Sequence, residues 1–199
     1  MWYTGVTMQN DSDEKLAALH LSGDEEAFPL LMRKYLTAIY NFAAQFVGYG
    51  QNAEDVAQET FIKVWKNLKK FNPAKKFKPW LFRIARNSAI DYLRQRKLTI
   101  PLPGVHDDEE NGSAADLADP APLPPEQATS LETKKAVRKI IEALPPIYGT
   151  MLKLYYLEEF SLPEIAKILA QPIDTVKSRH RRALIKIRQL ISQDSTLLS

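Results

Sequence analysis

Apolar residues recur at intervals of three and four along most of this 199-residue chain. This spacing is typical of amphipathic α-helices, and no long alternating run of β-branched residues bounded by turns indicates a strand. The apolar runs are also much shorter than the roughly 20 residues that cross a bilayer. We therefore predict an all-α protein without membrane insertion, and the lack of a signal-like N-terminus makes the cytoplasm the expected compartment.

Three helices are predicted before residue 100. The first follows a cap at Ser22-Gly23-Asp24 and buries one stripe, which consists of Phe28, Leu31, Tyr35, Ile39, Phe42 and Phe46. After a break at 48–52, the second helix packs through Ala57, Phe61, Val64 and Leu68. Its remaining surface is a polar face that comprises Asp55, Gln58, Glu59, Ile62 and Lys63.

The third helix should start near Pro79, because proline suits the first helical turn. Its inward side consists of Leu81, Ile84, Ala85, Ser88 and Tyr92. The opposite side is a basic face that holds Arg83, Arg86, Ile90, Arg94 and Lys97. The pattern therefore predicts an amphipathic helix whose outer face is cationic.

Residues 101–125 differ in composition from both flanks. They hold six of the chain's 13 prolines, and residues 101–126 contain seven acidic and no basic residues. Such a segment cannot bury enough apolar surface to offset its ordering entropy. We predict a flexible, acidic, Pro-rich linker between two small helical domains at 14–100 and 126–193, with tails at 1–13 and 194–199.

The second domain contains the most informative stretch of the chain. Ser161-Leu162-Pro163-Glu164 fits a capping box that starts a helix. This helix is interrupted at 170–174, and the next helix turns Val176, His180, Ala183, Ile187 and Leu190 inward. Two short helices around a tight turn predict a helix-turn-helix. Its outward residues suit the DNA major groove and comprise Lys177, Ser178, Arg181, Arg182 and Lys186.

Basic charge is concentrated in two places. Residues 63–97 hold twelve basic residues and one acid, and residues 177–188 hold six basic residues and no acid. This distribution suggests a polyanion held at two sites. In the first segment, the aromatic residues Phe71, Phe77, Trp80 and Phe82 lie among lysines. Exposed rings would stack on unpaired bases, whereas buried rings would belong to the core.

Two further polar groups have open interpretations. Asn87 and Asp91, beside the basic face, either orient on bases or cap side-chain networks. The acidic and polar face with Asp55, Gln58 and Glu59 fits either a protein partner or simple solvation.

The sequence offers no enzyme site. His20, His106 and His180 lie far apart, and no metal-ligand spacing, phosphate-binding glycine loop or nucleophile motif is present. The lack of cysteine excludes thiolate zinc sites. We expect a binding protein rather than an enzyme, with no cofactor and no metal site.

Three motifs in succession resemble the sigma-70 family. They are AEDVAQETFIKVWKNL at 53–68, FKPWLFRIARNSAIDYLRQRK at 77–97, and LPPIYGTMLKLYYLEEFSLPEIAKILAQPIDTVKSRHRRALIKIR at 144–188. The short two-domain layout is similar to the extracytoplasmic-function (ECF) group. The resemblance implies a bacterial transcription initiation factor that binds core RNA polymerase, recognises −35 and −10 promoter elements and assists DNA melting.

The resemblance also implies individual roles. The domain at 14–100, sigma region 2, would bind the β′ clamp helices through Asp55, Gln58, Glu59, Ile62 and Lys63. Its basic helix would act on the −10 element through Trp80, Arg83, Arg86, Asn87, Asp91 and Arg94. The domain at 126–193, sigma region 4, would touch the β flap and read the −35 element through Thr175, Lys177, Ser178, Arg181, Arg182 and Lys186. The linker would enter polymerase channels that later hold nucleic acid, and an anti-sigma factor is a further candidate partner.

The chain departs from the family pattern around the turn of the helix-turn-helix. Ala170 and Asp174 stand where glycines are common, and His180 stands where leucine is usual. We expect Asp174 to cap the second helix, whereas His180 either packs through its ring or acts as a pH switch. Two rival functions remain. One is a helix-turn-helix regulator whose first domain senses a ligand or dimerises and which binds duplex DNA without polymerase. The other is a binding module or anti-factor without a DNA role, which the two basic segments disfavour.

Overall fold

The computed structural model describes residues 11–96, 140–141 and 144–193, with side chains as far as residue 190. Within these ranges the chain is helical and contains no strand, which confirms the all-α prediction. The chain separates into two compact units, one within residues 1–100 and one within 101–199. The predicted linker at 101–125, Lys97, His106 and the C-terminal tail at 194–199 lie outside the described residues.

The described part of the first unit, residues 11–96, contains four α-helices. They are α1 (Asp13–Leu21), α2 (Ala27–Val47), α3 (Gln51–Asn67) and α4 (Phe77–Gln95), and a 3₁₀ turn at Leu68–Lys70 follows α3. Helices α2, α3 and α4 pack against one another, while α1 packs on α2 and also contacts α4. The core lies among the three long helices.

The predicted apolar stripes form this core. All six residues of the α2 stripe are buried, and so are the four inward residues predicted for α3. The turn between these helices spans residues 48–50, two residues shorter than the predicted break at 48–52, and Gly48 and Gly50 have φ of 81° and 100°. Positive φ strains residues with a side chain, so glycine suits both positions.

Helix α1 was not predicted. Ser12 caps it by accepting a hydrogen bond from the Lys15 amide at 3.2 Å, and Leu16 and Ala17 are its buried residues. The prediction that Ser22-Gly23-Asp24 caps α2 is wrong in its placement, since Ser22 is the C-cap of α1. The N-cap of α2 is Glu26, whose amide donates to Asp24 Oδ1 at 3.0 Å.

Helix α4 begins at Phe77, two residues before the predicted start at Pro79. Its N-cap residue, Lys76, makes no capping side-chain hydrogen bond; instead the carboxylate of Glu14 in α1 accepts from the Phe77 amide at 2.8 Å. The placement of Ile90 on the outer face is wrong, because its side chain is 7% exposed. Helices α2 and α3 both cover α4, so its buried surface is wider than one stripe.

The second unit contains α5 (Pro146–Leu152), which continues as a π-helical turn at Lys153–Leu157, and then α6 (Leu162–Leu169) and α7 (Ile173–Gln193). The Ser161 amide and hydroxyl both donate to Glu164 Oε2, at 2.9 and 2.7 Å, and these residues form the predicted capping box. Helices α6 and α7 pack on each other and form the predicted helix-turn-helix.

The turn between α6 and α7 spans residues 170–172, which is shorter than the predicted interruption at 170–174. Ala170 adopts a left-handed conformation with φ of 50°, where glycine is more usual. The prediction that Asp174 caps α7 is wrong, because the helix begins at Ile173 and Asp174 lies inside its first turn. A carboxylate there still interacts favourably with the helix dipole.

Candidate nucleic-acid and protein interfaces

The structure places the predicted arginines of α4 on the outer face of this helix. Arg83 and Arg94 are exposed, and Arg86 is half-buried between them. Burial lowers the pKa of the Arg86 guanidinium, and the positive charge of Arg94 lowers it further. An arginine stays protonated at neutral pH despite such a shift, so this face is cationic and Arg86 is its least solvated charge.

The polar residues beside this face take part in side-chain networks. Arg86 Nη1 donates to Asn87 Oδ1 at 3.3 Å, and Asn87 remains exposed. Asp91 lies 3.0 Å from Lys63 Nζ on α3. Of the two interpretations left open for this pair, the network is therefore observed in the structure.

The aromatic residues predicted among the lysines pack together. Phe71 and Phe77 are buried, and their ring centroids lie 5.1 and 5.5 Å from that of Trp80, which is half-buried. Phe82 is 0% exposed and packs on Phe42 at 5.1 Å, so its ring belongs to the core and cannot stack on a base. Trp80 alone among the four is partly exposed.

An apolar groove of about 830 Å³ lies between α2 and α3. Three large apolar side chains at this groove are exposed to solvent: Leu36 (52%), Ile62 (45%) and Trp65 (56%). Clustered apolar exposure of this kind marks a protein-interaction surface more often than a single exposed residue does. The groove is the main feature of the first unit that sequence reasoning missed.

The structure divides the five predicted polymerase-binding residues into two rows. Gln58 and Ile62 line the groove. Asp55, Glu59 and Lys63 follow each other at four-residue intervals on the neighbouring ridge of α3, and Lys63 reaches toward α4. The signal that would have found the groove residues Met32, Leu36 and Trp65 is their apolar character outside the core stripes of their helices.

On α7, the predicted DNA-contacting residues form one outer surface. Lys177 and Arg182 are exposed, and Thr175, Ser178 and Arg181 are half-buried. The Ser178 hydroxyl donates to the Thr175 carbonyl at 2.9 Å within the helix. Lys186 differs from the rest, because its ammonium lies 5.6 Å from the centre of the Tyr148 ring on α5. A cation–π contact of this kind also ties the helix to its own unit.

Two more residues of α7 hold this helix against the rest of its unit. Arg179, which the sequence did not single out, is 8% exposed and donates through Nη1 to Gln171 Oε1 in the turn. His180 is half-buried, and its ring centroid lies 4.7 Å from that of Tyr155. This packing agrees with the inward position predicted for His180.

Within the described residues, no group of His, Asp and Glu side chains could hold a metal ion. None of the helices described in residues 11–193 is both long and apolar enough to cross a membrane.

Comparison with known families identifies both units. The Sigma-70 region 2 model matches residues 31–99, and the Sigma-70 region 4 model matches residues 134–187. The chain belongs to the sigma-70 family. The resemblance inferred from the three motifs is thereby confirmed.

Individual relatives place this sigma factor in the ECF group. It is 35% identical over 168 residues to the ECF RNA polymerase sigma factor SigW of Bacillus subtilis, an alignment that covers 84% of this chain and 90% of SigW. A structure of CnrH in complex with the cytosolic domain of CnrY matches with a TM-score of 0.59 and 27% identity, over 92% of this chain and 99% of CnrH. The sigma factor RpoE of Bartonella quintana, in complex with the anti-sigma factor NepR, matches with a TM-score of 0.55 and 26% identity, over 84% of this chain and 98% of RpoE.

Proposed function

We propose that this sigma factor binds core RNA polymerase, carries it to promoters through −35 and −10 elements, and assists melting of the DNA. The observation that carries the proposal is the presence, in one chain, of a helix-turn-helix in the second unit and of both an exposed apolar groove and a basic helix in the first unit. A regulator that acts on duplex DNA alone would use the helix-turn-helix and would have no need of the second basic surface on α4. In this proposal the protein catalyses no reaction itself. It acts in the cytoplasm, where bacterial polymerase and promoters are found.

The groove between α2 and α3 is the proposed docking surface for core polymerase, with Gln58 and Ile62 at its wall and Asp55 and Glu59 on the adjoining ridge. An apolar centre with a polar rim is the usual anatomy of a protein interface. The exposed Trp65 supports this assignment, because tryptophan is enriched among residues that dominate binding energy.

The two DNA-contacting surfaces would divide the promoter. On α7, Lys177, Arg181 and Arg182 would read the −35 duplex, since an α-helix fits the major groove and arginine pairs with guanine edges. On α4, Arg83, Arg86 and Arg94 would hold the backbone of the −10 strand while the partly exposed Trp80 meets an unpaired base.

We extend the proposal to a regulatory partner. CnrH and RpoE were each solved in complex with another protein, and for RpoE that protein is named an anti-sigma factor. An anti-sigma factor that covers the groove of this chain would block core polymerase. The two binders should then compete for the groove.

In vitro transcription with purified core polymerase and a promoter library tests the proposed function directly. Adding the protein should create new start sites that share sequence elements near −35 and −10. Specific duplex binding by the protein alone, with no new start sites, would instead support a helix-turn-helix regulator.

A matched pair of substitutions tests the groove. Ile62 and Leu21 have the same exposure of 45% in the same unit, but only Ile62 lines the groove. Ile62→Arg should weaken binding to core polymerase by about 30-fold or more, as expected for a central interface residue. Leu21→Arg should bind like the unaltered protein; equal losses in both variants would show that the groove is not the docking surface.

A further inference from the structure

Lys63 links α3, the proposed polymerase-binding helix, to α4, the proposed promoter-binding helix. Its ammonium lies 3.0 Å from Asp91 Oδ2 on α4 and 3.8 Å from Glu59 Oε1 on its own helix. The Lys63 side chain is 31% exposed and that of Asp91 is 48% exposed. A residue from the proposed polymerase-binding helix is therefore paired with a residue from the proposed promoter-binding helix.

The position of Lys63 on α3 separates it from the groove. Its neighbours Ile62, Trp65 and Lys66 line the groove, whereas Lys63 does not. Because successive residues on a helix are rotated by about 100°, Lys63 turns toward α4 when Ile62 turns toward the groove. The ammonium is thus placed to act on the promoter face rather than on a partner bound in the groove.

Asp91 places a negative charge on the cationic surface of α4. It is the single acidic residue between Lys63 and Lys97, and it shares the exposed part of α4 with Asn87 and Arg94. An uncompensated carboxylate here would repel the DNA phosphates. It would also be able to pair with Arg94, three residues along the same helix, and so withdraw that arginine from the DNA.

We propose that Lys63 is a positioning residue for the promoter face, which neutralises Asp91 and holds its carboxylate toward α3 so that the arginines of α4 remain available to DNA. This inference rests on the proposed function, because it assumes that α4 contacts the −10 element. It assigns to Lys63 an action through Asp91 in place of direct contact with polymerase.

A double-mutant cycle between Lys63 and Asp91 tests the proposal. Lys63→Met keeps the length and apolar stem of the side chain and removes the charge. It should lower the affinity of the assembled holoenzyme for a −10 promoter fragment with a melted strand by about fivefold, the upper range for a half-exposed ion pair. In a protein that carries Asp91→Asn, the same Lys63→Met change should alter that affinity by less than about twofold, because the α4 carboxylate that Lys63 neutralises has already been removed.

The binding of each variant to core polymerase, measured separately, distinguishes this role from a direct contact. Core affinity should be unchanged in Lys63→Met. A loss of core affinity that persists in the presence of Asp91→Asn would overturn the proposal and make Lys63 a polymerase contact. An equal loss of −10 affinity in both backgrounds would also overturn it, since Lys63 would then act independently of Asp91.

Lys34 provides the matched control. It pairs with Asp13 between α1 and α2 and is 50% exposed, so Lys34→Met removes an ion pair of the same type from a different part of the unit. This variant should retain both affinities. If the unaltered protein directs no promoter-specific start sites, the proposed function itself fails, and that result is separate from any outcome of the cycle.

Discussion

The two basic helices, α4 and α7, are held in their units in different ways. Helix α4 is covered by α2 and α3 and fixed at both ends by polar contacts from other helices: Glu14 accepts from the Phe77 amide, and Asn52 Oδ1 accepts from the Tyr92 hydroxyl at 2.7 Å. Helix α7 packs on α5 and α6 through one apolar side and follows a turn with a left-handed alanine. The comparison indicates that α4 is embedded on two sides and held at both ends, whereas α7 is packed on one side and leaves Lys177 and Arg182 exposed on the other.

The largest expected effect tests how deeply α4 is embedded. Phe82→Ala should lower the free energy of unfolding of the first unit by about 3–5 kcal/mol, since a large side chain buried against Phe42 is removed. All three tryptophans lie within residues 1–100, so urea unfolding followed by tryptophan fluorescence reports on this unit. Leu36→Ala, at a 52% exposed position, is the control and should cost little. A loss below about 1 kcal/mol for Phe82→Ala would contradict a core position.

The next effect separates the two helices by the DNA they bind. Arg182→Ala should reduce affinity for a −35 duplex by about tenfold or more and leave binding of a melted −10 fragment unchanged. Arg83→Ala, an equally exposed arginine on α4, should show the reverse pattern. Holoenzyme binding to the two separate DNA fragments measures both. Parallel losses on both fragments would mean that the two helices do not divide the promoter.

A smaller effect tests the tie between α1 and α4. Glu14→Ala should lower the free energy of unfolding of the first unit by about 1 kcal/mol, the usual cost of losing a helix cap. Glu25→Ala removes an equal charge from the exposed turn before α2 and serves as the control. Equal fluorescence-monitored urea midpoints for Glu14→Ala and the unaltered protein would indicate that α1 does not support α4.

The smallest effect concerns the turn before α7. Ala170→Gly should raise the stability of the second unit by up to about 1 kcal/mol, because glycine adopts positive φ without strain. Ala166→Gly, one turn earlier in α6, should instead lower it by about 1 kcal/mol. Hydrogen exchange of the α7 amides measures both. If Ala170→Gly were as destabilising as Ala166→Gly, the left-handed turn would be in doubt.

Local patterns were sufficient to predict the long helices and the helix-turn-helix. The α2 stripe from Phe28 to Phe46 repeats at helical spacing over five turns, and the Ser161–Glu164 capping box is complete within four residues. Both signals depend on neighbours in the sequence, so they could be read without knowledge of the tertiary structure.

The features that were missed depend on contacts between distant residues. Helix α1 is nine residues long with two buried side chains, and much of its support comes from Glu14 with Phe77 and Asp13 with Lys34. Ile90 was placed outside because a single stripe was assumed for a helix that packs on two neighbours. The groove escaped notice because it needs α2 and α3 side by side before Leu36 and Trp65 become one surface.

The hydrogen bond from the Phe77 amide to Glu14 limits which segments of this protein can be exchanged with those of a relative. A chimera that exchanges only residues 77–95 for those of a relative, to give the holoenzyme a new −10 preference, would place a foreign helix on an anchor 63 positions earlier in the chain. Because the anchor bonds a backbone amide, proline at position 77 would remove it. The Phe77 side chain is itself buried in the core, as is that of Phe82. Promoter-specificity grafts should therefore change only the exposed side chains of α4, keep its buried residues and α1, and avoid proline at the first position of the grafted helix.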